Sequence, residues 1–258
     1  MTLDLFGRPA LLFLPASNPR AILRARVSAA DLVVLDLEDA VKAEDKNRAR
    51  DEAVEAVGLD WPMPVGIRVN AIGSEHHQPD LAAALASECD FIVVPMVAEP
   101  LAIEGKPVAA MIETAAGVLA SAAIARTVDA LIVGTNDLSY DLRLPGIDRV
   151  ALSASLQFAV LAARAAGIAV FDGVYNQLDD PAGLEAQARE GRALGFDGKS
   201  LIHPDQIAPC RAAFAPTATE IARAERLVGA ATGGAERFEG AMIEDLHVEA
   251  AQRLLARR

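Results

Sequence analysis

Carboxylate side chains follow several apolar stretches of the chain, and two of them could bind a metal ion. Glu113 ends one such stretch, and Asp137 lies just after the next. Two carboxylates from neighbouring strands, with no histidine or cysteine nearby, suit a hard divalent cation such as Mg²⁺, which keeps several of its waters. We therefore predict that Glu113 and Asp137 bind Mg²⁺. The alternative is local, with Glu113 capping the helix that begins at Ala115 and Asp137 shaping a turn.

A second group combines acids with one arginine. Asp36, Glu38 and Asp39 end another apolar stretch, and Arg68 and Asn70 end the one that follows. An arginine beside acids can form a structural ion pair, and it can equally stabilise an oxyanion or clamp a carboxylate. Both interpretations of Arg68 stay open, and the two roles can coexist.

The elements that must position these residues are apolar runs of strand length. Eight of them recur, at residues 10–16, 31–38, 65–70, 90–96, 107–113, 128–134, 168–173 and 196–203. Their near-continuous apolarity is typical of strands buried on both faces. Alanine-rich helical segments separate most of them, at residues 46–57, 115–126, 150–166 and 182–194.

Eight βα units in about 215 residues favour an α/β fold, specifically a (β/α)8 TIM barrel, over an open sheet. In such a barrel the active site lies at the carboxyl ends of the strands, where the residues above are found. The fourth unit is the weak one, because residues 97–106 leave room for at most a stub of helix.

The pattern changes in the last part of the chain. We expect a barrel domain at residues 1–214 and a C-terminal helical extension at residues 215–258. Helix-like segments at residues 217–230 and 245–257 flank a break at Gly233 and Gly234. The acidic stretch 236–245 fits a mobile lid, and the alternative is a tail that covers the bottom of the barrel.

Composition excludes several kinds of partner. The formal net charge is −12, so no global positive field attracts nucleic acid or an anionic membrane. The longest charge-free apolar stretch, residues 150–163, is shorter than the ~18 residues that a membrane-spanning helix needs. The chain has only two cysteines, which suit the core of a protein in a reducing cytoplasm. We expect a cytoplasmic protein with a small-molecule partner.

Some motif-like segments do not support other functions. Gly198-Lys199-Ser200 mimics the end of a P-loop, but Ala193 replaces the first glycine and strand-like residues follow. No GxGxxG follows the first strand, so the dinucleotide fingerprint is absent. Glu75-His76-His77 lacks the helical spacing of a zinc site and is expected to be a solvated loop. His203 is expected to be a hydrogen-bonded structural histidine.

Further motifs, taken in order along the chain, identify a family. They are Leu12-Phe13-Leu14-Pro15, Leu35-Asp36-Leu37-Glu38-Asp39-Ala40-Val41, Lys46 with Ala49-Arg50, Arg68-Val69-Asn70, Val94-Pro95, Ile112-Glu113-Thr114-Ala115, Gly134 with Asp137-Leu138, Gly195-Phe196, Gly198-Lys199, Ile202-His203-Pro204 with Gln206, Phe214 with Pro216, and Phe238-Glu239-Gly240 with Met242-Ile243. In order and spacing these segments resemble the citrate lyase β-subunit-like enzymes of the HpcH/HpaI aldolase/citrate lyase superfamily. The resemblance runs from Leu11 to about Leu255.

The resemblance implies a (β/α)8 barrel, often trimeric, with one Mg²⁺ per subunit held by Glu113 and Asp137. It implies reversible carbon–carbon cleavage of a β-hydroxy acyl-CoA, such as citryl-, malyl- or citramalyl-CoA, to acetyl-CoA and a 2-oxo acid. In that reaction the metal and Glu113 would hold the part of the substrate that becomes the 2-oxo acid. Arg68 would stabilise the enolate oxygen of the departing thioester.

Three further acidic residues receive roles from the resemblance. Glu38 and Asp39 would orient water on the metal and the guanidinium of Arg68. The general acid/base in related enzymes is an aspartate in the C-terminal lid of a neighbouring subunit. Glu244 stands at that position here.

Two arginines are predicted to bind the CoA moiety. The Pro-Gly-Asn-Arg that is usual after the first strand is Pro15-Ala16-Ser17-Asn18 here, which moves the cation to Arg20. Arg24 stands where a lysine is common in the family, and Met96 replaces another lysine that usually follows Val-Pro.

Two other functions remain open. Asp137-Leu138-Ser139 with Leu144-Pro145-Gly146 is similar to the class II aldolases of the same superfamily, which act on free 4-hydroxy-2-oxo acids. Met96 and the altered loop after the first strand are compatible with a non-catalytic relative that binds CoA or a carboxylate.

Overall fold

The computed structural model describes residues 3–256. Eight parallel strands close into a barrel in chain order, with β1 paired to both β2 and β8. The predicted (β/α)8 fold is confirmed. The strands are β1 (Ala10–Pro15), β2 (Leu32–Asp36), β3 (Val65–Arg68), β4 (Phe91–Val94), β5 (Val108–Ile112), β6 (Ala130–Val133), β7 (Ala169–Asp172) and β8 (Gly198–Leu201).

Helices surround the barrel and follow most of its strands. They are α1 (Pro19–Arg26), α2 (Lys46–Val57), α3 (His77–Ala86), α4 (Ala115–Ile124), α5 (Thr135–Asp141), α6 (Arg149–Ala166), α7 (Pro181–Leu194) and α8 (Ile207–Phe214). The described residues 95–107, between β4 and β5, contain no helix, which confirms that the fourth unit is the weak one. No described helix is long and apolar enough to cross a membrane.

The barrel interior is filled by alternate residues of each strand. Leu11, Leu32, Val34, Val93 and Phe171 point inward and pack with their neighbours into one buried core. Gly66 leaves the space that the Phe91 ring occupies, since a Cβ at Gly66 would lie 2.5 Å from that ring. This period of two carries on to the ends of the strands, where polar side chains take the inward positions.

One expectation about the loops is wrong. Glu75-His76-His77 is not a solvated loop, because His77 begins α3 and is buried. Its Nδ1 lies 2.7 Å from the carbonyl oxygen of Asn70. This contact ties the start of α3 to the loop that follows β3. Only Glu75 of the three is exposed. His203, by contrast, is the hydrogen-bonded residue expected, since its Nδ1 accepts from the backbone N–H of Asp205 at 3.2 Å.

The chain divides into two compact units, with the boundary between Ala213 and Phe214. The second unit contains α9 (Ala218–Ala230), an antiparallel hairpin of β9 (Glu236–Phe238) and β10 (Ala241–Ile243), and α10 (Asp245–Leu255). Its own small core contains Ala224, Leu227, Ile243 and Ala251. The acidic stretch is therefore a hairpin, while the predicted end of the last helix at Arg257 lies outside the described residues.

Candidate active site

A cavity of about 420 Å³ lies at the carboxyl ends of the barrel strands. Its lining includes Asp36, Asp39, Arg68, Glu113 and Asp137, all of them strand-end residues singled out from the sequence. The structure thus brings these five side chains to one place. Every residue that lines the cavity belongs to the first unit.

Arg68 is held flat against the carboxylate of Asp36. Its Nε donates to Asp36 Oδ1 at 2.6 Å, and its Nη2 donates to Asp36 Oδ2 at 2.7 Å. The two residues pair in the register of β2 and β3, and both point into the barrel mouth. Burial lowers the pKa of Arg68, but the Asp36 carboxylate outweighs this effect, so the net pKa is raised. Of the two roles considered for Arg68, the structural ion pair is therefore present. The pair fixes the plane of the guanidinium and keeps it charged.

Two further carboxylates meet the other side of the same guanidinium. Arg68 Nη1 lies 2.9 Å from Glu38 Oε2 and 3.4 Å from Asp39 Oδ2. Three carboxylates around one cation leave an excess of negative charge. Burial raises the pKa of Glu38 to about 8, although the charge of Arg68 opposes the shift. Glu38 is therefore poised to bind and release a proton near neutral pH.

The backbone of this acidic loop is fixed from behind. Lys46, at the start of α2, donates from Nζ to the carbonyl oxygens of Leu37 and Glu38, at 2.9 Å each. Asn70 donates from Nδ2 to the same Leu37 oxygen at 3.0 Å. These bonds hold the acidic loop in place beside Arg68.

Asn70 is in turn held by Asp80, a residue that sequence reasoning missed. Asp80 is buried in α3 and accepts from the backbone N–H and Nδ2 of Asn70, at 3.0 and 2.6 Å. Arg50 of α2 donates to its other oxygen at 2.6 Å. Asp80 lies inside a helix rather than at a strand end, so no spacing in the sequence distinguishes it.

Glu113 follows β5 and is almost completely buried. Its Oε1 accepts from the backbone N–H of Met96 at 2.6 Å, whereas its buried Oε2 has no hydrogen-bond partner among residues 3–256. Burial raises the pKa of Glu113 to about 7, against the effect of the Met96 hydrogen bond. The alternative role as a helix cap is wrong, because Thr114 caps α4 by accepting from Gly117 N at 3.0 Å.

The neighbouring strand makes room for Glu113. A Cβ at Gly134 would lie 2.1 Å from Glu113 Oε2 and 2.6 Å from Glu113 Cβ. The carboxylate therefore lies where a side chain at the residue after β6 would otherwise be. The backbone of Gly134 is not in the left-handed region, so space rather than conformational freedom demands glycine here.

Asp137 lies in the first turn of α5, three residues after Gly134. It is half-buried, and burial together with the nearby charge of Asp39 raises its pKa. The turn that we considered as the alternative role of Asp137 is the first turn of helix α5. The charge of Asp137 in turn raises the pKa of Glu113, which shows that the two carboxylates are electrostatically coupled.

The donor set fits Mg²⁺. Glu113 offers a buried oxygen with no partner, and the raised pKa values mean that a cation would relieve repulsion between the carboxylates. Among residues 3–256, no group of three or more His, Cys, Asp and Glu side chains is arranged to hold a metal ion. A cation here would have two protein carboxylates and would complete its shell with water and substrate, as Mg²⁺ commonly does.

The wall formed by β6 to β8 is polar but uncharged, and sequence reasoning missed it. Thr135 and Ser200 line the cavity, and their buried hydroxyls have no hydrogen-bond partner in the described part of the chain. Asn176 donates from Nδ2 to Asn136 Oδ1 at 2.8 Å on the same rim. Ser200 takes an inward position of β8, and only the period of two along that strand could have singled it out. These groups can hydrogen-bond a ligand without adding charge.

Comparisons with known proteins show the family of this chain. The family model described as HpcH/HpaI aldolase/citrate lyase matches residues 9–105 and 101–204. The chain belongs to this family. The chain is 37% identical, over 96% of its length and 93% of the relative, to a (3S)-malyl-CoA thioesterase of Cereibacter sphaeroides. It is 36% identical, over 96% of both chains, to a citrate lyase subunit beta-like protein of Deinococcus radiodurans.

A solved structure of the family covers almost the whole fold. CitE from Mycobacterium tuberculosis, in complex with magnesium, acetoacetate and coenzyme A, has a TM-score of 0.89 and 32% sequence identity to this chain. The match covers 99% of each chain. Other structures of the same protein contain magnesium with oxaloacetate or with pyruvate.

The two arginines predicted to bind CoA lie outside the cavity. Arg20 and Arg24 are exposed on α1, one helical turn apart, and neither lines the cavity described above. Neither makes an ion pair with a residue in the described part of the chain. Their side chains are thus available to an anionic group at the surface.

Glu244, the predicted acid/base of this family member, lies in the second unit. It directly precedes α10 and is half-buried. Its backbone N–H donates to His247 Nδ1 at 2.9 Å, which fixes the start of the helix.

Proposed function

We propose that the protein is a Mg²⁺-dependent carbon–carbon lyase that cleaves or forms a small β-hydroxy acyl-CoA. The products of cleavage would be an acyl-CoA and a 2-oxo acid, with malyl-, citramalyl- and citryl-CoA as candidate substrates. The observation that carries the proposal is the location of a clamped Arg68 guanidinium and an unpartnered Glu113 oxygen in one cavity. The complex of CitE with magnesium, acetoacetate and coenzyme A supports it.

Glu113 and Asp137 are the residues that would hold the metal. When bound, Mg²⁺ supplies Lewis-acid stabilisation to the oxygens of the 2-oxo acid. The neutral hydroxyls of Thr135 and Ser200 would hydrogen-bond the same fragment, since they line the cavity without a protein partner.

Arg68 would stabilise the charge that develops as the carbon–carbon bond breaks. The electron pair of that bond moves toward the thioester carbonyl, which becomes an enolate oxygen. Asp36 occupies Nε and one N–H of Nη2, so the second N–H of Nη2 remains to donate to this oxygen. A preorganised donor of this kind stabilises the transition state more than the substrate. Glu38 and Asp39 would hold the guanidinium in its orientation.

The remaining predicted roles belong to the same proposal. As the general acid/base, Glu244 from the lid of a neighbouring subunit would accept the proton that the substrate hydroxyl loses when its carbon becomes the ketone of the 2-oxo acid. It would then protonate the enolate carbon, which completes the acyl-CoA product. Arg20 and Arg24 would bind phosphates of CoA, because both are exposed cations that form no ion pair with another described residue. The enzyme would act as a homo-oligomer, with a trimer favoured by the family resemblance.

A second candidate is hydrolysis of the thioester. It is favoured by one observation, the 37% identity to a (3S)-malyl-CoA thioesterase. The two reactions differ in the bond that breaks. A lyase releases acetyl-CoA and glyoxylate from malyl-CoA, whereas a thioesterase releases malate and free CoA.

The deciding experiment is a product analysis with purified protein and Mg²⁺. Malyl-, citramalyl- and citryl-CoA and free 4-hydroxy-2-oxo acids are incubated separately, and the products are separated by chromatography. We expect an acyl-CoA and a 2-oxo acid from at least one thioester. Free CoA with an intact hydroxy acid would establish the thioesterase, cleavage of the free acids alone would establish a class II aldolase, and no turnover of any substrate would favour a non-catalytic relative.

The role of Arg68 is tested by Arg68→Lys. Lysine keeps the charge but not the planar fork that is clamped by Asp36, so we expect turnover to fall by roughly 100-fold or more. Arg164→Lys is the control, since Arg164 pairs with Asp197 and does not line the cavity. A near-wild-type rate for a folded Arg68→Lys protein would show that only bulk charge is needed.

A further inference from the structure

The motif segment Gly198-Lys199 contains a buried lysine that has no role in the site described above. Lys199 is 0% exposed. On β8 it alternates with Ser200, which faces the cavity, so its own side chain points to the outer side of the sheet. A buried ammonium group is costly unless it is paired and hydrogen-bonded. The partners of Lys199 therefore indicate its role.

Asp172, the last residue of β7, is the acidic partner of this lysine. Lys199 Nζ lies 3.2 Å from Asp172 Oδ2. The other oxygen, Oδ1, accepts from Arg149 at 2.7 Å and from the backbone N–H of Gly173 at 2.8 Å. Gly191 of α7 leaves room for the carboxylate, since a Cβ there would lie 2.8 Å from Oδ2. Asp172 is thus fixed by its neighbours, and it holds the lysine in one position.

Lys199 also binds the loop that follows β7. Its Nζ donates to the carbonyl oxygen of Gly173, the first residue of that loop. Gly173 in turn packs directly against Thr135, because a Cβ at Gly173 would lie 2.6 Å from Thr135 Cγ2. Thr135 carries one of the buried hydroxyls of the cavity wall. The lysine is therefore connected, through one backbone carbonyl, to a side chain that faces the cavity.

Gln206 holds the same loop at a second point. It is buried, and its Nε2 donates to the carbonyl oxygen of Tyr175 at 2.9 Å. Its Oε1 accepts from the backbone N–H of Ile202, also at 2.9 Å. The rim hydrogen bond of Asn176 adds a third attachment. The loop formed by residues 173–176 is therefore fixed from behind and at its end.

This loop forms part of the wall of the cavity. Its Val174 and Asn176 line the cavity beside Thr135. Thr135 and Asp137, a proposed metal ligand, lie in the same first turn of α5. The part of a substrate that contacts this wall is therefore the part beside the metal, which is the 2-oxo acid.

We propose that Lys199 and Gln206 are positioning residues for the 2-oxo acid half of the substrate, and that they act through the loop after β7. This inference rests on the proposed function, which supplies the 2-oxo acid. Hydrogen bonds weaken steeply when their distance and angle change, so the groups that bind a small acid must be held in place. Loosening the loop therefore weakens binding of the 2-oxo acid and leaves binding of CoA unchanged.

The test compares two kinds of ligand by isothermal titration calorimetry with Mg²⁺ present, namely the 2-oxo acids glyoxylate and pyruvate, and coenzyme A. Lys199→Met keeps an unbranched side chain but cannot bind Asp172 or the Gly173 carbonyl oxygen. We expect its affinity for the 2-oxo acids to fall at least about tenfold and its affinity for coenzyme A to stay within about twofold. Lys106→Met is the matched control, because Lys106 donates to the Cys89 carbonyl oxygen at 2.8 Å and does not line the cavity. It should bind both kinds of ligand like the wild type.

A second variant covers the case in which Lys199→Met does not fold. Gln206→Met removes the other attachment of the loop without removing a buried charge, and the same split between 2-oxo acid and coenzyme A is expected. Gln157→Met is its control, since Gln157 donates to the Leu194 carbonyl oxygen at 2.9 Å and does not line the cavity. Circular dichroism checks the fold of each variant.

Hydrogen exchange measured by mass spectrometry reports on the loop itself and needs no turnover. Peptides covering residues 173–176 should exchange faster in Lys199→Met and Gln206→Met than in the wild type, whereas peptides from α2 should not change. The inference is overturned if folded variants exchange like the wild type, if both kinds of ligand lose affinity equally, or if the wild type binds neither 2-oxo acid. Faster exchange with weaker 2-oxo acid binding, in a protein that cleaves none of the thioesters, would support the positioning roles and reject the lyase.

Discussion

Glu113 is the side chain whose state depends most on what fills the cavity. One of its oxygens is fixed by the Met96 N–H, and the other is buried without a partner. Burial raises its pKa to about 7, so this buried position disfavours the carboxylate form relative to water. A cation between Glu113 and Asp137 would remove this penalty, because it replaces the proton and screens the repulsion between the two carboxylates.

We predict that Glu113→Gln and Asp137→Asn each weaken Mg²⁺ binding by about tenfold or more, because each removes one of two charged ligands. Isothermal titration calorimetry measures the affinity. Asp141→Asn is the control on the same helix, since Asp141 accepts from the Ala115 N–H and does not line the cavity. Unchanged Mg²⁺ affinity in both ligand variants would remove the metal assignment.

Glu38 makes the stability of the metal-free protein depend on pH. Its pKa is raised from 4.5 to about 8 by burial, so the folded state binds the proton more tightly than the unfolded chain does. Its contribution to stability is present below pH 4.5 and is lost as pH rises through about 8. We predict that Tm in a chelator falls between about pH 5 and 9, and that Glu38→Gln makes the fall shallower.

Thermal melts of the wild type, Glu38→Gln and Glu104→Gln over this pH range test the prediction. Glu104 is exposed and does not line the cavity, so its variant should keep the wild-type slope. A Glu38→Gln protein with that same slope would show that the Glu38 carboxyl does not titrate in this range.

At the residue scale, position at a strand end was enough to predict Arg68, Glu113 and Asp137 as neighbours. The partner of Arg68 was harder to predict, because Asp36 lies 32 residues away and meets it only through the register of two parallel strands. In the sequence, Met96 stands out only because its side chain replaces a lysine. In the structure, its contact with Glu113 is made by the backbone N–H. It adopts a φ of 55°, and backbone donors of this kind leave no mark in a sequence motif.

At the scale of elements, the junction of β6 and α5 both makes space for Glu113 and positions Asp137. Gly134 ends the strand without a side chain and leaves the space that Glu113 occupies. Helix α5 then begins at once and places Asp137 in its first turn. A short strand-to-helix junction thus positions both proposed metal ligands.

Gly134→Ala tests this arrangement. The added Cβ would lie 2.1 Å from Glu113 Oε2 and 2.6 Å from Glu113 Cβ, so the side chain of Glu113 must move and the local backbone must shift with it. We predict that Mg²⁺ affinity falls about as far as in Glu113→Gln, while circular dichroism shows an intact fold. Gly146→Ala is the matched control, because nothing lies within 4 Å of its Cβ position. Wild-type Mg²⁺ affinity in Gly134→Ala would mean that Glu113 is not needed in its present position.

The sequence predicted the elements well where apolar runs repeat, and less well at the loops. All eight strands and most helices follow from the alternation of apolar runs and alanine-rich segments. Helix α5 is not predicted from the sequence, because five of its seven residues are Thr, Asn, Asp or Ser and the segment is too short for a periodic pattern. The burial of His77 was missed because it depends on a contact with Asn70, seven residues earlier.

At the scale of the whole molecule, the proposed catalytic groups are divided between the two compact units. Arg68, Glu113 and Asp137 belong to the barrel, and Glu244 belongs to the second unit. The family resemblance assigns the lid to the cavity of a neighbouring subunit. The sequence of one chain indicates which residues take part, but the pairing of subunits depends on surfaces that meet only after folding.

The division of roles between chains leads to a complementation experiment. Arg68→Ala and Glu244→Ala should each be nearly inactive, the first because the enolate oxygen loses its donor and the second because the enolate carbon loses its proton source. If one site combines Arg68 of one chain with Glu244 of another, subunit exchange between the two inactive proteins creates some sites with both native residues. We predict that the mixture recovers part of the wild-type activity, while each protein kept alone stays inactive. Native mass spectrometry of the mixture confirms that mixed oligomers have formed. Mixed oligomers without activity, or full turnover by Glu244→Ala alone, would exclude the shared site and leave Glu244 as the residue that precedes α10.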